Sequence, residues 1–256
     1  MKIAILTGVT SGMGKEFALQ FDKNMKKLDE FWLIGRDPDK LREIKKQMTH
    51  KCKIFVCDLN ERTELKKVMR ELYAGSYEIK ILVNCAGYGK IGSFEDISYN
   101  DNMGMIDVNC RALTSLTYDC IPFMCDNSRI INVASSGGFV PQPYFAVYCA
   151  TKSYVLSFSR ALNAELKDKN IAVTAVCPGP VATNFFNVAE SGGAKLKIKD
   201  LVMANPKDVV KKAIRDSLLK KEISVYGLPI KAFQVVSKYT PHKLIIESVR
   251  LMKKYS

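Results

Sequence analysis

Seven short apolar runs rich in β-branched residues, at 3–7, 31–35, 54–57, 81–84, 130–134, 173–177 and 223–226, are separated by longer stretches with helical periodicity. A strand that is apolar along its whole length must be covered on both faces, and intervening helices supply that cover. The pattern therefore predicts an α/β fold, a doubly wound domain with a seven-stranded parallel sheet and helices on both faces. A length of 256 residues suits one such domain spanning 1–256. The helix after the fifth run is the clearest, with Val155, Phe158, Leu162 and Leu166 at spacings of three and four. It is expected to start near Tyr148 and end before Asn170.

The first residues enter a strand pattern directly, without a charged leader or cleavage site, and no apolar run approaches the roughly 20 residues needed to cross a bilayer. The expected location is cytoplasmic. The eight cysteines mostly sit in apolar segments and form no Cys-x-x-Cys pair, so they read as buried free thiols. His50 and His242 fall in polar surroundings and read as surface residues, and no metal site is expected. A net charge of +13 asks for an acidic partner. Its lysines are spread as doublets over many helices rather than gathered in a recognition element, which argues against nucleic acid.

The first strand runs into Thr7, Gly8, Val9, Thr10, Ser11, Gly12, Met13 and Gly14, and a helical segment follows. Glycines there permit a tight turn and let the backbone approach a diphosphate on the positive end of the helix. Strand, glycine cluster and helix in that order predict a Rossmann-type dinucleotide site. The second strand ends at Gly35, Arg36 and Asp37. An acid at this place binds the adenosine ribose, whereas an arginine attracts a 2′-phosphate. Asp37 stands at about the right distance to be that acid, but Asp37 followed by Pro38 also reads as a helix cap and first turn. Arg36 favours NADP(H), with NAD(H) as the other possibility.

Tyr148 and Lys152, four apart on the predicted helix, share one face. A phenol ionises near pH 10, so it trades protons close to neutrality only if a positive charge favours its phenolate. Lys152 is placed to supply that charge.

In order and spacing these motifs resemble the short-chain dehydrogenase/reductase (SDR) family over nearly the whole chain. Thr7, Gly8, Gly12 and Gly14 match its glycine-rich pattern, with Thr10, Ser11 and Met13 inside the same turn. Asp58, followed by Leu59, matches the acid that contacts the adenine amine. Asn84, Ala86 and Gly87 match the Asn-Asn-Ala-Gly motif, with Cys85 at its second place. The resemblance implies a catalytic set of Asn109, Ser135, Tyr148 and Lys152, Ser135 lying thirteen residues before Tyr148. Tyr148 would be the general acid and base, and Lys152, together with the positive nicotinamide of the oxidised complex, would lower its pKa and bind the ribose hydroxyls. Ser135 would hold the substrate oxygen, and Asn109 a water that relays protons. Pro178, Gly179, Val181 and Thr183 match the turn beside the nicotinamide.

The same resemblance makes the irregular stretch at about 185–204 the substrate-binding loop. Apolar residues around the expected site, Phe139, Val140, Tyr144, Phe145, Phe185, Phe186, Val188, Leu196 and Ile198, imply a hydrophobic ketone or aldehyde and its alcohol. Ser135, Phe139, Tyr144 and Phe185 are the expected substrate contacts. The tail at about 229–256 alternates apolar and basic residues and could dock on the domain, pair with another subunit or touch an anionic membrane. Membership would also imply a homo-oligomer, dimer or tetramer. The competing reading is a protein that binds NAD(P) to regulate or scaffold, without turnover.

Overall fold

The computed structural model describes residues 1–191 and 202–254, with side chains as far as Leu251. Its strands are β1 (Lys2–Thr7), β2 (Glu30–Gly35), β3 (Lys51–Val56), β4 (Glu78–Asn84), β5 (Met124–Val133), β6 (Ala172–Val176) and β7 (Ile223–Ser224). They form one seven-stranded sheet in the order β3-β2-β1-β4-β5-β6-β7, every neighbouring pair parallel. The doubly wound sheet is the one expected. The helices are α1 (Gly12–Asn24), α2 (Pro38–Gln47), α3 (Leu65–Ala74), α4 (Tyr99–Ile106), α5 (Leu113–Cys120) and α6 (Ala146–Glu165). They continue with α7 (Phe185–Ala189), α8 (Pro206–Leu218), α9 (Leu228–Tyr239) and α10 (His242–Lys254). A π-helical segment, Asp107–Ala112, joins α4 to α5.

Side chains that alternate along β1 show how the two faces are covered. Ile3 and Ile5 point into a core with Trp32, Leu82, Val68, Leu116 and Leu162, beneath α3, α5 and α6. Ala4 and Leu6 point the other way, among Phe17, Phe21, Leu33, Val83 and Val210, beneath α1, α2 and α8. Trp32 is fully buried, with its ring centroid 5.0 Å from Phe55 and 4.8 Å from Tyr77. Each large side chain buried in this way contributes about 1.5–3 kcal/mol. The chain leaves β3 at one edge and returns at β4 beside β1. That reversal opens a crevice at the carboxyl ends of β1 and β4.

A polar ladder crosses the apolar core below the crevice. Asn84 Nδ2 donates to Thr117 Oγ1 at 3.0 Å and to Asn132 Oδ1 at 2.8 Å, and Asn132 Nδ2 donates to Ser159 Oγ at 2.9 Å. All four residues are buried, so the ladder ties α5, β4, β5 and α6 in one register.

Two expectations need correction here. His50 is not a free surface residue: its Nδ1 lies 2.8 Å from Oδ1 of the buried Asp22, and its ring packs edge-on against Phe31. Burial works against the Asp22 carboxylate, but hydrogen bonds from His50 and Thr49 outweigh it and hold the pKa below the usual range. The stretch expected to be irregular begins as α7, and Leu196 and Ile198 lie outside the described residues. The cysteines are all free thiols, although Cys85, Cys110 and Cys125 are only half-buried.

Asn132→Ala breaks the ladder in its middle and leaves Asn84 short of a partner. The expected loss is about 1–3 kcal/mol in urea unfolding. An unchanged midpoint with an unchanged slope would show that the ladder adds no net stability.

Candidate active site

The turn between β1 and α1 depends on backbone shapes that side chains rarely allow. Gly8 and Gly12 have φ of +69° and +52°, and a Cβ on Gly14 would lie 2.1 Å from the Gly8 carbonyl oxygen. The first turn of α1 is left open to an anion. Ser11 at its N-cap makes no side-chain capping bond, and no acidic residue follows in that turn. The amide groups at the positive end of α1 are therefore offered to the crevice, the arrangement a diphosphate needs. Thr7 serves from behind the wall. Its Oγ1 accepts from the amides of Cys85 and Ala86, both at 3.1 Å, and so fastens the turn to the end of β4.

At the end of β2 the two candidate residues separate. Asp37 caps α2, its Oδ1 accepting from the amides of Asp39 and Lys40 at 3.1 Å each, with Lys40 Nζ 3.3 Å from Oδ2. Those bonds hold its carboxyl below the usual range. Arg36 is exposed, lines the crevice and makes no ion pair among the described residues. Beside it, Asp58 Oδ1 accepts from the Asn60 amide at 3.0 Å and from Asn60 Nδ2 at 3.2 Å.

The Tyr148 ring is held tightly in place. It stacks on Phe145 with centroids 4.2 Å apart, meets Phe185 at 5.3 Å, and packs against Gly89, where a Cβ would come within 2.7 Å of the ring. Lys152 Nζ lies 5.7 Å from the ring centroid and donates to the Val133 carbonyl at 2.8 Å. Ser135 Oγ accepts from the Gly137 amide at 3.0 Å and so caps a short turn after β5. Asn109, in the π-helical segment, donates through Nδ2 to the Tyr88 carbonyl and Thr151 Oγ1, and its Oδ1 accepts from the Tyr88 amide. Three hydrogen bonds commit its side chain to holding this backbone in place. Gly87 fills the space between: a Cβ there would sit 2.7 Å from Asn109 Oδ1 and 3.3 Å from Lys152 Nζ.

Protein groups alone do not make Tyr148 acidic. Burial pushes its pKa above the ordinary phenol value, and a hydrogen bond with Ser135 only partly opposes this. Burial also pulls Lys152 down to about 8. The two are neighbours, but each first pays for leaving water.

These groups share one cavity of about 1640 Å³. Its walls include Gly8, Thr10, Ser11, Gly12, Met13 and Gly14 of the turn, and Arg36, Asp58 and Leu59. Further along come Ala86, Gly87, Ser135, Tyr148 and Lys152, then Pro178, Gly179, Val181 and Thr183. Tyr144, which has a positive φ of 64°, and Phe185 also line it. Thr7, Asn84 and Asn109 do not line it and act from behind as supports. Phe139 does not reach it either; its ring turns to Phe233, 6.2 Å away. Sequence reasoning missed Tyr88, Lys90 and Gln142, and also the wall that α9 and α10 supply through Ile230, Phe233, Ile245 and Val249. The apolar periodicity of that tail was the available signal.

Residues 2–192 match the family described as short chain dehydrogenase, so the chain belongs to that family, whose members are NAD(P)-dependent oxidoreductases acting on CH–OH groups and carbonyls. Among similar curated proteins is the very-long-chain 3-oxoacyl-CoA reductase of Anas platyrhynchos, 33% identical over 197 residues, covering 73% of this chain and 62% of the duck protein. The protein of the same name from Macaca fascicularis is 30% identical over 242 residues, covering 91% of this chain and 74% of its own. A solved serine dehydrogenase complexed with NADP+ superposes with a TM-score of 0.75 at 27% identity, over 87% of this chain and 94% of that one. A short-chain dehydrogenase from Sphingobium yanoikuyae in complex with NADPH shares the fold, with a TM-score of 0.77 at 23% identity over 94% and 97% of the two chains.

Lys152 has a testable thermodynamic signature. Its pKa is about 8 when folded, against the ordinary lysine value of 10.5 that an unfolded chain restores, so the cost of burying the ammonium is fully present below pH 8 and is relieved between the two values. Lys152→Met is therefore expected to stabilise the chain without dinucleotide by on the order of 3 kcal/mol below pH 8. That gain should shrink as pH rises above 8. Paired thermal melts from pH 6 upward check this, and a gain independent of pH would contradict it.

Proposed function

We propose that the chain is a single-domain, NADP(H)-dependent oxidoreductase that interconverts a hydrophobic ketone or aldehyde with its alcohol. Bound dinucleotide supplies or accepts the hydride. The residues of the chain do the rest. The turn at Gly8–Gly14 and the N-terminus of α1 hold the diphosphate, Asp58 and Leu59 flank the adenine, and Val181 and Thr183 hold the nicotinamide end. Tyr148 Oη delivers a proton to the substrate oxygen in reduction and removes it in oxidation. Ser135 Oγ donates to the same oxygen as charge develops. Lys152 binds the ribose and holds a positive charge beneath the phenol. Asn109 and Thr7 position this set from behind. We take the protein to work in the cytoplasm as a homo-oligomer; among the described residues, no helix is long and apolar enough to cross a membrane.

The observation that carries the reading is the common cavity, in which the amide-rich turn, Ser135, Tyr148 and Lys152 border the same space as Phe145, Phe185 and Val188. The NADP(H) preference is supported by the division of labour at the end of β2, where Asp37 is committed to α2 and Arg36 has no acidic partner among the described residues. Relatives named for reducing 3-oxoacyl groups support a carbonyl carried on an apolar chain.

Oxidation of NADPH in the presence of medium-chain and aromatic ketones tests the activity; dinucleotide binding without turnover across such a panel would favour the regulatory alternative. With an active ketone, Tyr148→Phe is expected to lower kcat by roughly 10²–10⁴-fold while dinucleotide affinity changes little. A variant that keeps the wild-type rate refutes the acid-base role. Arg36→Leu is expected to raise the KM for NADPH about tenfold or more, as loss of a charge-assisted bond does, and to leave that for NADH nearly unchanged. Equal effects on both would discredit the phosphate assignment.

A further inference from the structure

α9 and α10 each present two different faces. The inner faces are built into the cavity: Pro229, Ile230 and Phe233 of α9 line it, as do Ile245, Ser248 and Val249 of α10. Ile230 comes so close to Gly179 that a Cβ there would lie 2.4 Å from its Cδ1, and Ser237 is 4% exposed. α9 is therefore anchored, and its outer face is outer by construction.

That outer face is apolar. Leu228, Val235, Val236 and Tyr239 recur at spacings of seven, eight and eleven from the first, one side of a helix, and are 80%, 58%, 55% and 76% exposed. On α10, Leu244 and Leu251 lie seven apart, 60% and 46% exposed. An unpartnered stripe of this kind costs solubility unless something covers it. The sequence that carries it is basic. Lys231, Lys238, Lys243, Arg250, Lys253 and Lys254 stand against a single acid, Glu247, between 228 and 254, so the segment carries a net charge of +5. Glu247 is already engaged by Arg250 at 2.8 Å, while Lys231, Lys238 and Lys243 make no ion pair among the described residues.

We propose that the outer face of α9 and α10 docks on an anionic lipid bilayer. The chemistry selects this occupant: an apolar stripe flanked by lysines that make no ion pair among the described residues, Lys238 resting only over the Tyr239 ring, suits acyl chains below anionic headgroups, where each lysine gains from the surface potential. A second copy of this chain would bring the same positive charge against itself. The docked orientation puts the cavity wall one helix diameter from the membrane. On the reading under Proposed function, a lipophilic carbonyl can then reach Tyr148 with little exposure to water.

Flotation of the full-length chain with vesicles tests the docking without any substrate. Binding is expected to vesicles of phosphatidylcholine mixed with phosphatidylglycerol, to be weak with phosphatidylcholine alone, and to fall as salt rises. Neutralising Lys231, Lys238 and Lys243 together to Gln is expected to lower the partition coefficient on the order of a hundredfold, and Leu228→Ser with Val235→Ser and Tyr239→Ser to remove binding. Unchanged NADPH binding in both variants shows that they are folded. Absence of flotation with anionic vesicles, equal flotation with neutral ones, or a dimer dissolved by the serine variant while vesicle binding is absent, would each overturn the proposal. None of these results depends on the enzyme having turnover, so docking and catalysis fail independently.

Discussion

An ammonium buried beneath the carboxyl ends of the sheet is the constraint to which the rest of the site answers. Lys152 is 5% exposed, and its described partner is a neutral carbonyl, that of Val133, instead of a carboxylate. The titratable groups closest to it in effect, Cys85, Cys110 and Cys177, are thiols that burial keeps protonated. A carboxylate here would stabilise the fold and cancel the charge. Leaving it out keeps a positive potential directed at the cavity, at a cost in stability that the apolar layers of the sheet absorb. Gly87 leaves room beside the ammonium, since a Cβ there would lie 2.7 Å from Asn109 Oδ1 and 3.3 Å from Lys152 Nζ.

Much of the architecture is legible from sequence because a parallel sheet leaves a simple trace: strands buried on both faces are apolar throughout. The trace weakens wherever a strand meets solvent. β3 begins Lys51, Cys52, Lys53, and β5 begins six residues before its apolar run, so both strands start ahead of the point where the pattern places them. The π-helical segment is hidden because one widened turn hardly alters a helical periodicity. The engagement of His50 is equally hidden, because its partner Asp22 lies twenty-eight residues away, on a helix that nothing local connects to β3.

The site is legible where function depends on backbone shape and on one helical face. Gly8, Gly12 and Gly14 follow from the close approaches they permit, and Tyr148 with Lys152 from a single turn of α6. What spacing cannot give is the direction of a side chain at the end of a strand. Thr7 and Asn84 stand at the mouth of the crevice in sequence, yet both point back into the protein and support it from below. Phe139 likewise turns from the cavity to Phe233. The desolvation of Tyr148 and Lys152 is hidden for a related reason: spacing shows that the two groups are neighbours but not that both are buried.

The wall from α9 and α10 links the two ends of the chain's chemistry. Gly179 belongs to the turn after β6 that lines the cavity, and Ile230 fills the place where a larger residue at 179 would project. α9 can therefore neither move inward without striking that turn nor lean outward without uncovering Phe139, Ile223 and Val225, the apolar cluster that Ile230 joins. Its position sets the width of the cavity, and its outer stripe is fixed in direction by the same contacts. A surface that held the outer stripe would hold the cavity wall as well. In the docking proposed above, access to the phenol and attachment through the tail become one mechanical problem for the same pair of amphipathic helices.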